Sequence, residues 1–221
     1  MRITGVIASP RGKKGNTYPL LEAALKGAGD EGAKTEIINI AKSEINYCNG
    51  CLKCFKSGKC IHDDDFEKIF LKLMKSDGII FASPNYINSV TGQMKTFFDR
   101  MADAIHCQMF EGKYGFSIST AGGSGADEVS EYMNQTLRVL GADTTGHIGM
   151  DIADAEEGAK PWENKAYEEG KKLASAIRNN EKFPEQEEFH KYMQERMEKL
   201  ITANKKEWKH EYKYLKKKKG E

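Results

Sequence analysis

Short apolar, β-prone runs alternate with helical patterns along most of this chain. The runs that suit buried strands are residues 2–8, 35–40, 78–83, 114–120 and 144–150, the last of which is only partly apolar. Helical patterns follow them at 17–29, 63–76, 92–105, 126–140 and 162–178. Parallel neighbouring strands need a crossover connection, usually a helix, so this alternation predicts a parallel sheet covered by helices on both faces.

The number of repeats narrows the architecture further. Five strand–helix units predict a flavodoxin-like, doubly wound α/β fold with a five-stranded parallel sheet. In such folds ligands bind beyond the carboxyl ends of the strands, at the point where the strand order reverses. We therefore expect the functional residues in the loops that follow the strands, within a domain spanning 1–180.

The composition changes after about residue 180. Pro184 opens a charged segment in which a single apolar stripe recurs at helical spacing: Phe189, Tyr192, Met193, Met197 and Leu200. This pattern is typical of a helix with one buried face. The segment 181–221 is too short for a second domain, and we expect a C-terminal helical arm that packs on the domain or on a partner subunit.

Length and charge set broad limits on the kind of protein. The chain has 221 residues and a formal net charge of +1, so it fits one domain and shows no bias toward an acidic partner. The start, MRITGVIASPRGKKGNT, has too short an apolar stretch for a signal peptide, and no run suits a membrane helix. We expect a cytoplasmic protein with no nucleic-acid or membrane partner, and we interpret the terminal KKKK as a solvated tail.

Four cysteines lie within thirteen residues, as Cys48-x2-Cys51-x2-Cys54-x5-Cys60. Cytoplasmic thiols stay reduced, so this cluster indicates a metal centre instead of disulfides. Consecutive x2 gaps resemble iron–sulfur loops, and no proline follows the longer last gap, so we predict that all four bind one [4Fe–4S] cluster. Structural zinc remains the alternative.

The other candidate ligands are weaker. We interpret His62 as a loop residue and Cys107 as an ordinary buried side chain. No other histidine has a carboxylate or cysteine partner visible in the sequence, and no nucleophile–base pair emerges. This agrees with redox chemistry carried by a cofactor.

The loop after the first strand, Ser9-Pro10-Arg11-Gly12-Lys13-Lys14-Gly15-Asn16-Thr17, has the composition of an anion site. Ser9 and Thr17 offer hydroxyls, Asn16 an amide and Arg11 a guanidinium, next to a helix N-terminus. The spacing matches neither a P-loop nor the G-x-G-x-x-G of dinucleotide folds. It favours a single terminal phosphate, and the alternative is a solvated basic turn.

Two more loops follow strands at the same predicted edge. Tyr86, in the Ser83-Pro84-Asn85-Tyr86 loop, could form an aromatic wall for a planar heterocycle, and the backbone of 88–91 could supply hydrogen bonds. The loop at 120–125 is rich in glycine, which lets a backbone approach a ligand closely.

Three motifs give the chain a specific resemblance. S-P-R-x4-N-T, S-P-N-Y and G-Q-M-K-x-F-F-D-R resemble the NADPH-dependent FMN reductase family, and with the cysteine run the chain is similar to the iron–sulfur flavoproteins within it. The resemblance implies FMN, with its phosphate at Ser9, Arg11, Asn16 and Thr17. It implies that the ring is held by Pro84, Asn85, Tyr86, Ser89, Val90, Thr91, Thr120, Gly122 and Gly123. For Lys95, Phe98, Asp99 and Arg100 we predict helix packing and subunit contact.

The function predicted from these features is electron transfer. An oxidoreductase with FMN and a [4Fe–4S] cluster would accept electrons from a ferredoxin-like donor and reduce a quinone, O2 or peroxide. The resemblance implies a homodimer or homotetramer in which the cysteine loop lies near a neighbour's flavin. The alternatives are an NAD(P)H-dependent flavin or quinone reductase with zinc on its cysteines, an electron carrier without catalytic turnover, and a zinc-bearing interaction protein.

Overall fold

A five-stranded parallel sheet forms the centre of the protein. The computed structural model describes residues 1–154 and 158–221. Its strands are β1 (Arg2–Ile7), β2 (Lys34–Asn39), β3 (Gly78–Pro84), β4 (Tyr114–Ala121) and β5 (Asp143–Asp151), in the order β2-β1-β3-β4-β5. The predicted flavodoxin-like fold is confirmed. The strand order reverses between β1 and β3, so the carboxyl ends of these strands mark the expected ligand site.

The helices follow the predicted alternation, with additions at the cysteines and the C-terminus. They are α1 (Thr17–Asp30), α2 (Lys53–Ser57), α3 (Asp65–Met74), α4 (Gly92–Asp99), α5 (Ala102–His106), α6 (Ala126–Val139), α7 (Lys160–Asn179), α8 (Pro184–Ala203) and α9 (Lys209–Lys218). The prediction of a single helix over 92–105 is wrong, because the structure has two helices there. The helix breaks at Arg100 and Met101, where the Met101 N–H bonds to the Phe98 carbonyl and the Arg100 side chain turns inward to a buried partner.

Two apolar layers cover the sheet. Along β3, Ile79 and Phe81 join the layer beneath α3, α4 and α6, whereas Ile80 and Ala82 join the layer beneath α1 and α7. This alternation follows from the two-residue period of a strand. Both faces of the strand are buried, which explains why the strand runs read as nearly continuous apolar sequence.

Two glycines allow α1 and α7 to pack against each other. A Cβ on Gly170 would lie 1.9 Å from the Ala24 carbonyl oxygen, and one on Gly27 would lie 2.0 Å from that of Tyr167. Neither position can hold a side chain at this separation of the helices. The contact fixes α1, whose N-terminus follows the first loop at the carboxyl edge of the sheet.

The edge strand β5 is covered by a side chain from α8. The Gln186 amide oxygen accepts from the Thr144 N–H at 2.9 Å, and its nitrogen donates to the Thr144 carbonyl at 2.8 Å. Gln186 thereby makes the two bonds that a further strand would make, at a position where an open edge invites pairing with other chains.

The C-terminal helices pack on the domain. Met193, Met197 and Ile201 form the buried face of α8, while Tyr192, predicted in the apolar stripe, is 56% exposed. The buried positions follow the i, i+4, i+8 row, and Tyr192 lies beside it. Within the described residues, no helix combines the length and apolarity needed to cross a bilayer.

Candidate flavin site and cysteine loop

The loop after β1 folds into a compact turn. The Gly12 N–H donates to the Ser9 carbonyl at 2.9 Å, and Gly12 adopts a φ of +53°, which glycine tolerates at little cost. A Cβ on Gly15 would lie 2.7 Å from Ser9 Oγ, so glycine lets this hydroxyl sit beneath the turn. These contacts bring Ser9 to the start of α1.

The N-terminus of α1 is left open for an anion. Asn16 holds the N-cap position without a side-chain hydrogen bond to the helix, and the first turn contains no acidic residue. Arg11 and Asn16 are exposed, whereas Ser9 and Thr17 are buried. Uncapped N–H groups at a helix N-terminus carry a partial positive charge, so the turn fits a phosphate group.

Hydrogen bonds join the three predicted loops to one another. Thr17 Oγ1 lies 2.7 Å from Thr120 Oγ1, which links the first loop to the end of β4. The Asn85 N–H donates to the Thr120 carbonyl at 2.8 Å, and Thr91 Oγ1 donates to the Ala8 carbonyl at 2.9 Å. The structure therefore brings the predicted loops together at one edge of the sheet.

The loop after β3 has an unusual backbone at its tip. Ile87 and Asn88 have φ values of +53° and +55°, and Ile87 is 99% exposed. A branched residue in the left-handed region is strained, and such strain concentrates at ligand sites. Beside the tip, Asn85 Oδ1 is buried and has no hydrogen-bond partner in the described residues, while its Nδ2 donates to the Ser124 carbonyl.

The predicted ring-contact residues divide into two groups. Pro84, Asn85, Tyr86, Ser89, Gly122 and Gly123 are exposed or half-buried, and Gly122 and Gly123 face open space. Val90, Thr91 and Thr120 are buried. The Thr91 N–H already donates to Ser83 Oγ at 3.0 Å, and its hydroxyl caps α4. Thr91 thus holds the loop in place.

The four clustered cysteines lie in the segment between β2 and α3, outside the sheet, and Cys54 lies on the short helix α2 within it. Cys48, Cys51 and Cys60 are exposed and Cys54 is half-buried, and none forms a disulfide. In the described residues no three metal-ligating side chains are gathered into a preformed site. The thiol donor set fits a soft metal centre, which would have to draw the exposed cysteines together around it.

A buried ion pair closes this loop at its base. Arg100 Nη1 lies 2.8 Å from one Asp64 carboxylate oxygen, and Nη2 lies 3.2 Å from the other. Arg100 Nη1 also donates to the Asn46 carbonyl at 2.8 Å, and the Asn46 N–H donates to Asp64. Because Asn46 precedes Cys48 and Asp64 follows Cys60, these contacts fasten both ends of the cysteine loop.

Hydrogen bonding decides the charge state of Asp64. Burial favours the neutral acid, but donors from Arg100 and from the Asn46 and Phe66 backbone outweigh it and hold the pKa of Asp64 well below its usual range. Asp64 is therefore a carboxylate at neutral pH, and its oxygens also cap α3 through the Phe66 N–H.

Comparison with known proteins gives the family. Residues 1–157 match the family NADPH-dependent FMN reductase. The chain belongs to that family. It is 39% identical over 179 residues to an iron–sulfur flavoprotein of Archaeoglobus fulgidus, covering 80% of each chain, and 28% identical to one of Methanocaldococcus jannaschii, covering 72% of this chain and 85% of that one. A flavodoxin from the domain Archaea superposes with a TM-score of 0.53 at 17% identity, covering 80% of this chain and 99% of that one.

Membership of this family confirms the resemblance inferred from the motifs. The protein is a flavin-dependent oxidoreductase, and FMN is the flavin that the family binds. The family match ends before α7, so α8 and α9 lie outside it.

Arg100 has a different role from the one predicted within this FMN reductase motif. The motif predicts helix packing and subunit contact for all four residues, and the packing holds for Phe98, whose ring packs on Phe81 at 5.1 Å. Lys95 and Asp99 form an ion pair on the surface of α4. Arg100 instead anchors the cysteine loop, a role that the sequence could not indicate because Asp64 is 36 residues away.

Four histidines have acidic partners that are not visible in the sequence. His106 Nδ1 lies 3.0 Å from Glu211 Oε1, and His190 Nε2 lies 3.1 Å from Asp143 Oδ1. His147 and His210 also approach carboxylates. These partners lie 16 to 107 residues apart in sequence, so only the folded chain brings them together.

The His106 contact lies in a buried acidic cluster beside the cysteine loop. Glu211 is fully buried, and burial together with the charge of Glu211 raises the pKa of Asp103 to about 7. Burial, reinforced by the Asp103 charge, raises the pKa of Cys54 to about 11. A metal must therefore displace a proton from Cys54 at neutral pH. Cys107 is buried as predicted, and burial raises the pKa of its thiol as well.

Proposed function

We propose that this oxidoreductase is an iron–sulfur flavoprotein that carries FMN at the carboxyl edge of the sheet and a [4Fe–4S] cluster on Cys48, Cys51, Cys54 and Cys60. A ferredoxin-like protein would donate electrons, and a quinone, O2 or peroxide would accept them. The proposal rests on one observation: four clustered cysteines, none of them in a disulfide, lie in a member of a flavin-binding family. The names of its relatives support the cluster.

The residues at the carboxyl edge have the chemistry that FMN requires. Ser9, Arg11, Asn16 and Thr17 would hold the phosphate, because the turn combines a cation, hydroxyls and an uncapped helix. The Thr17 and Thr120 hydroxyls form one hydrogen bond with each other, in which one donates and the other accepts. The accepting hydroxyl keeps its own O–H, which can donate to an anion.

The loop after β3 and the glycine loop would hold the ring. Tyr86 is 47% exposed and could cover a planar face, and the orphaned Asn85 Oδ1 could accept a hydrogen bond from the ring edge. Pro84, Ser89, Gly122 and Gly123 are accessible, while Val90, Thr91 and Thr120 would act by positioning this edge.

The cluster would exchange single electrons, and the flavin can exchange one or two. The chain's own residues set where this happens: the Asp64–Arg100 pair fixes the base of the cysteine loop, and the bonds among Thr17, Thr120 and Asn85 fix the flavin loops. No side chain in the described residues needs to act as a nucleophile.

The exposed apolar residues and the four thiols also bear on the assembly of the protein and on its location. Tyr47, Leu52 and Ile61 are exposed apolar residues on the cysteine loop, and Ile87 is exposed at the tip of the flavin loop. We propose that a homodimer or homotetramer covers them and brings the cysteine loop of one subunit toward the flavin of another. A cytoplasmic location would keep the four thiols reduced.

Anaerobic purification and reconstitution test the proposal. We expect about four iron atoms, a matching amount of sulfide and one FMN per chain. Reduction by a ferredoxin should be faster than reduction by NADPH. A protein without FMN, or with less than about one iron per chain after reconstitution, contradicts it.

The family name and a relative named NAD(P)H dehydrogenase (quinone) support a second candidate, an NAD(P)H-dependent flavin or quinone reductase. In this candidate zinc would occupy the cysteines. It predicts about one zinc per chain and rapid bleaching of the flavin by NADPH. A pure electron carrier would bind both cofactors but show no turnover with quinone, O2 or peroxide.

A further inference from the structure

Helix α9 packs against the short helix that carries Cys54. Phe55, the residue after Cys54, is only 6% exposed, although Lys53 and Lys56 on the same short helix are exposed. Its ring lies 4.9 Å from that of Trp208, at the start of α9, and 4.5 Å from that of His106 on α5. The rings of His106 and Trp208 lie 5.1 Å apart and stack. Three aromatic rings from distant parts of the chain thus surround one point of the cysteine loop.

A second contact lies at the end of α2. Gly58 has a φ of +73°, and a Cβ there would lie 2.4 Å from the His210 ring. The ring of His210, the second residue of α9, therefore rests directly on the backbone between Cys54 and Cys60. Gly58 allows both the turn and this close approach.

A third contact fixes α9 itself. Glu211 has no exposed surface and its carboxylate accepts hydrogen bonds from His106 Nδ1 at 3.0 and 3.2 Å. A buried carboxylate must have such partners. Glu211 thereby fixes α9 to α5, the helix whose Asp103 lies near Cys54.

We propose that α9 is a positioning segment for the cysteine loop: Trp208, His210 and Glu211 hold α2 so that Cys54 is the fixed ligand around which the three exposed cysteines gather. This rests on the proposed metal centre of the loop. It gives a role to a segment outside the family match, and it explains why Cys54 alone among the four is half-buried.

The test uses the full chain with Trp208→Ala, and Trp162→Ala as the matched control. Trp162 is the other tryptophan, on α7, and packs on the opposite layer of the core. In metal-free protein, alkylation of each cysteine is followed by mass spectrometry. We expect Trp208→Ala to speed alkylation of Cys54 by about tenfold, the order of effect carried by two aromatic pairs. Trp162→Ala should leave it unchanged.

Reconstituted protein supplies the second readout. Trp208→Ala should lose iron to a chelator several times faster than the wild type and keep its FMN, and Trp208→Phe should restore both the alkylation rate and the iron retention. If Trp208→Ala does not fold, His210→Ala replaces it, because His210 touches the loop without being its largest anchor.

The outcomes separate the two proposals. If Cys54 reacts at the same rate in the wild type, Trp208→Ala and Trp162→Ala, the positioning role of α9 is wrong. If the wild type binds no iron but Trp208→Ala still exposes Cys54, the role of α9 stands and the proposed cluster fails.

Discussion

The flavin edge and the cysteine loop are held in place by different means. At the flavin edge, three loops emerge from neighbouring strands and bond to one another through short contacts such as Thr17–Thr120 and Asn85–Thr120. The cysteine loop leaves the sheet, and its shape depends on a buried ion pair at its base and on α9 above it. The flavin edge is therefore formed by loops of neighbouring strands, whereas the cysteine loop is held by residues from segments remote in sequence.

Arg100→Met is expected to give the largest effect. It leaves the Asp64 carboxylate buried without its partner, which costs about 3–5 kcal/mol in the free energy of unfolding. The measurement is urea denaturation of metal-free protein. Lys95→Met, which breaks the exposed pair with Asp99 on the same helix, should cost less than about 1 kcal/mol.

The same variants test whether the two regions are independent. Below the unfolding transition, Arg100→Met should expose Cys54, the half-buried member of the four, to alkylation while FMN occupancy is retained. Equal losses from Arg100→Met and Lys95→Met would show that the ion pair does not hold the loop.

Gly170→Ala tests the support of the flavin edge. The added methyl group would meet the Ala24 carbonyl, so α1 and α7 must separate, at a cost of about 1–3 kcal/mol. The matched control is Gly29→Ala, in the partner helix α1 but with open space around it, which should stabilise the helix by up to about 1 kcal/mol. Urea unfolding and FMN retention are measured for both, and equal effects would refute the packing argument.

Thr17→Val and Thr120→Val probe the bond between the flavin loops. Each single change leaves one buried hydroxyl without its partner and should cost about 1–2 kcal/mol, while the double change should cost less than their sum. FMN affinity, followed by flavin fluorescence, should fall in both single variants. Ser124→Ala, at an exposed position of the same loop, serves as the control, and additive costs would exclude the coupling.

These differences explain what the sequence could predict. The strands, their order of appearance and the loops at their carboxyl ends follow from local periodicity, so the loops that carry Ser9 and Thr120 could be placed at one edge of the sheet without coordinates. The role of Arg100 was missed because its motif gives no sign of Asp64. The His106–Glu211 contact spans 105 residues, and Trp208 lies more than 150 residues from Phe55 in a segment where the apolar pattern is weak.

The edge strand β5 is a second case in which partners remote in sequence could not be predicted. β5 was the weakest strand in the sequence because Thr144 and Thr145 are polar, yet both are buried. Gln186 satisfies the Thr144 backbone, and Lys172 donates to the Thr145 carbonyl at 2.6 Å. The backbone at this edge is satisfied because helices from later in the chain supply its hydrogen-bond partners.

Lowering the pH should give the smallest effect on stability, and it should act on the base of the cysteine loop but not on the Thr17–Thr120 contact at the flavin edge. The folded pKa of Asp64 is depressed, so its stabilisation is complete above its unfolded value of about 4 and is lost as the pH falls further. The wild type should lose about 1 kcal/mol more than Asp64→Asn between pH 4 and pH 3, since one proton is taken up on unfolding in this range only when Asp64 is present. The Thr17–Thr120 pair does not titrate there, so Thr17→Val should keep the wild-type slope. Parallel pH profiles for wild type and Asp64→Asn would mean that the base of the cysteine loop is not held by this carboxylate.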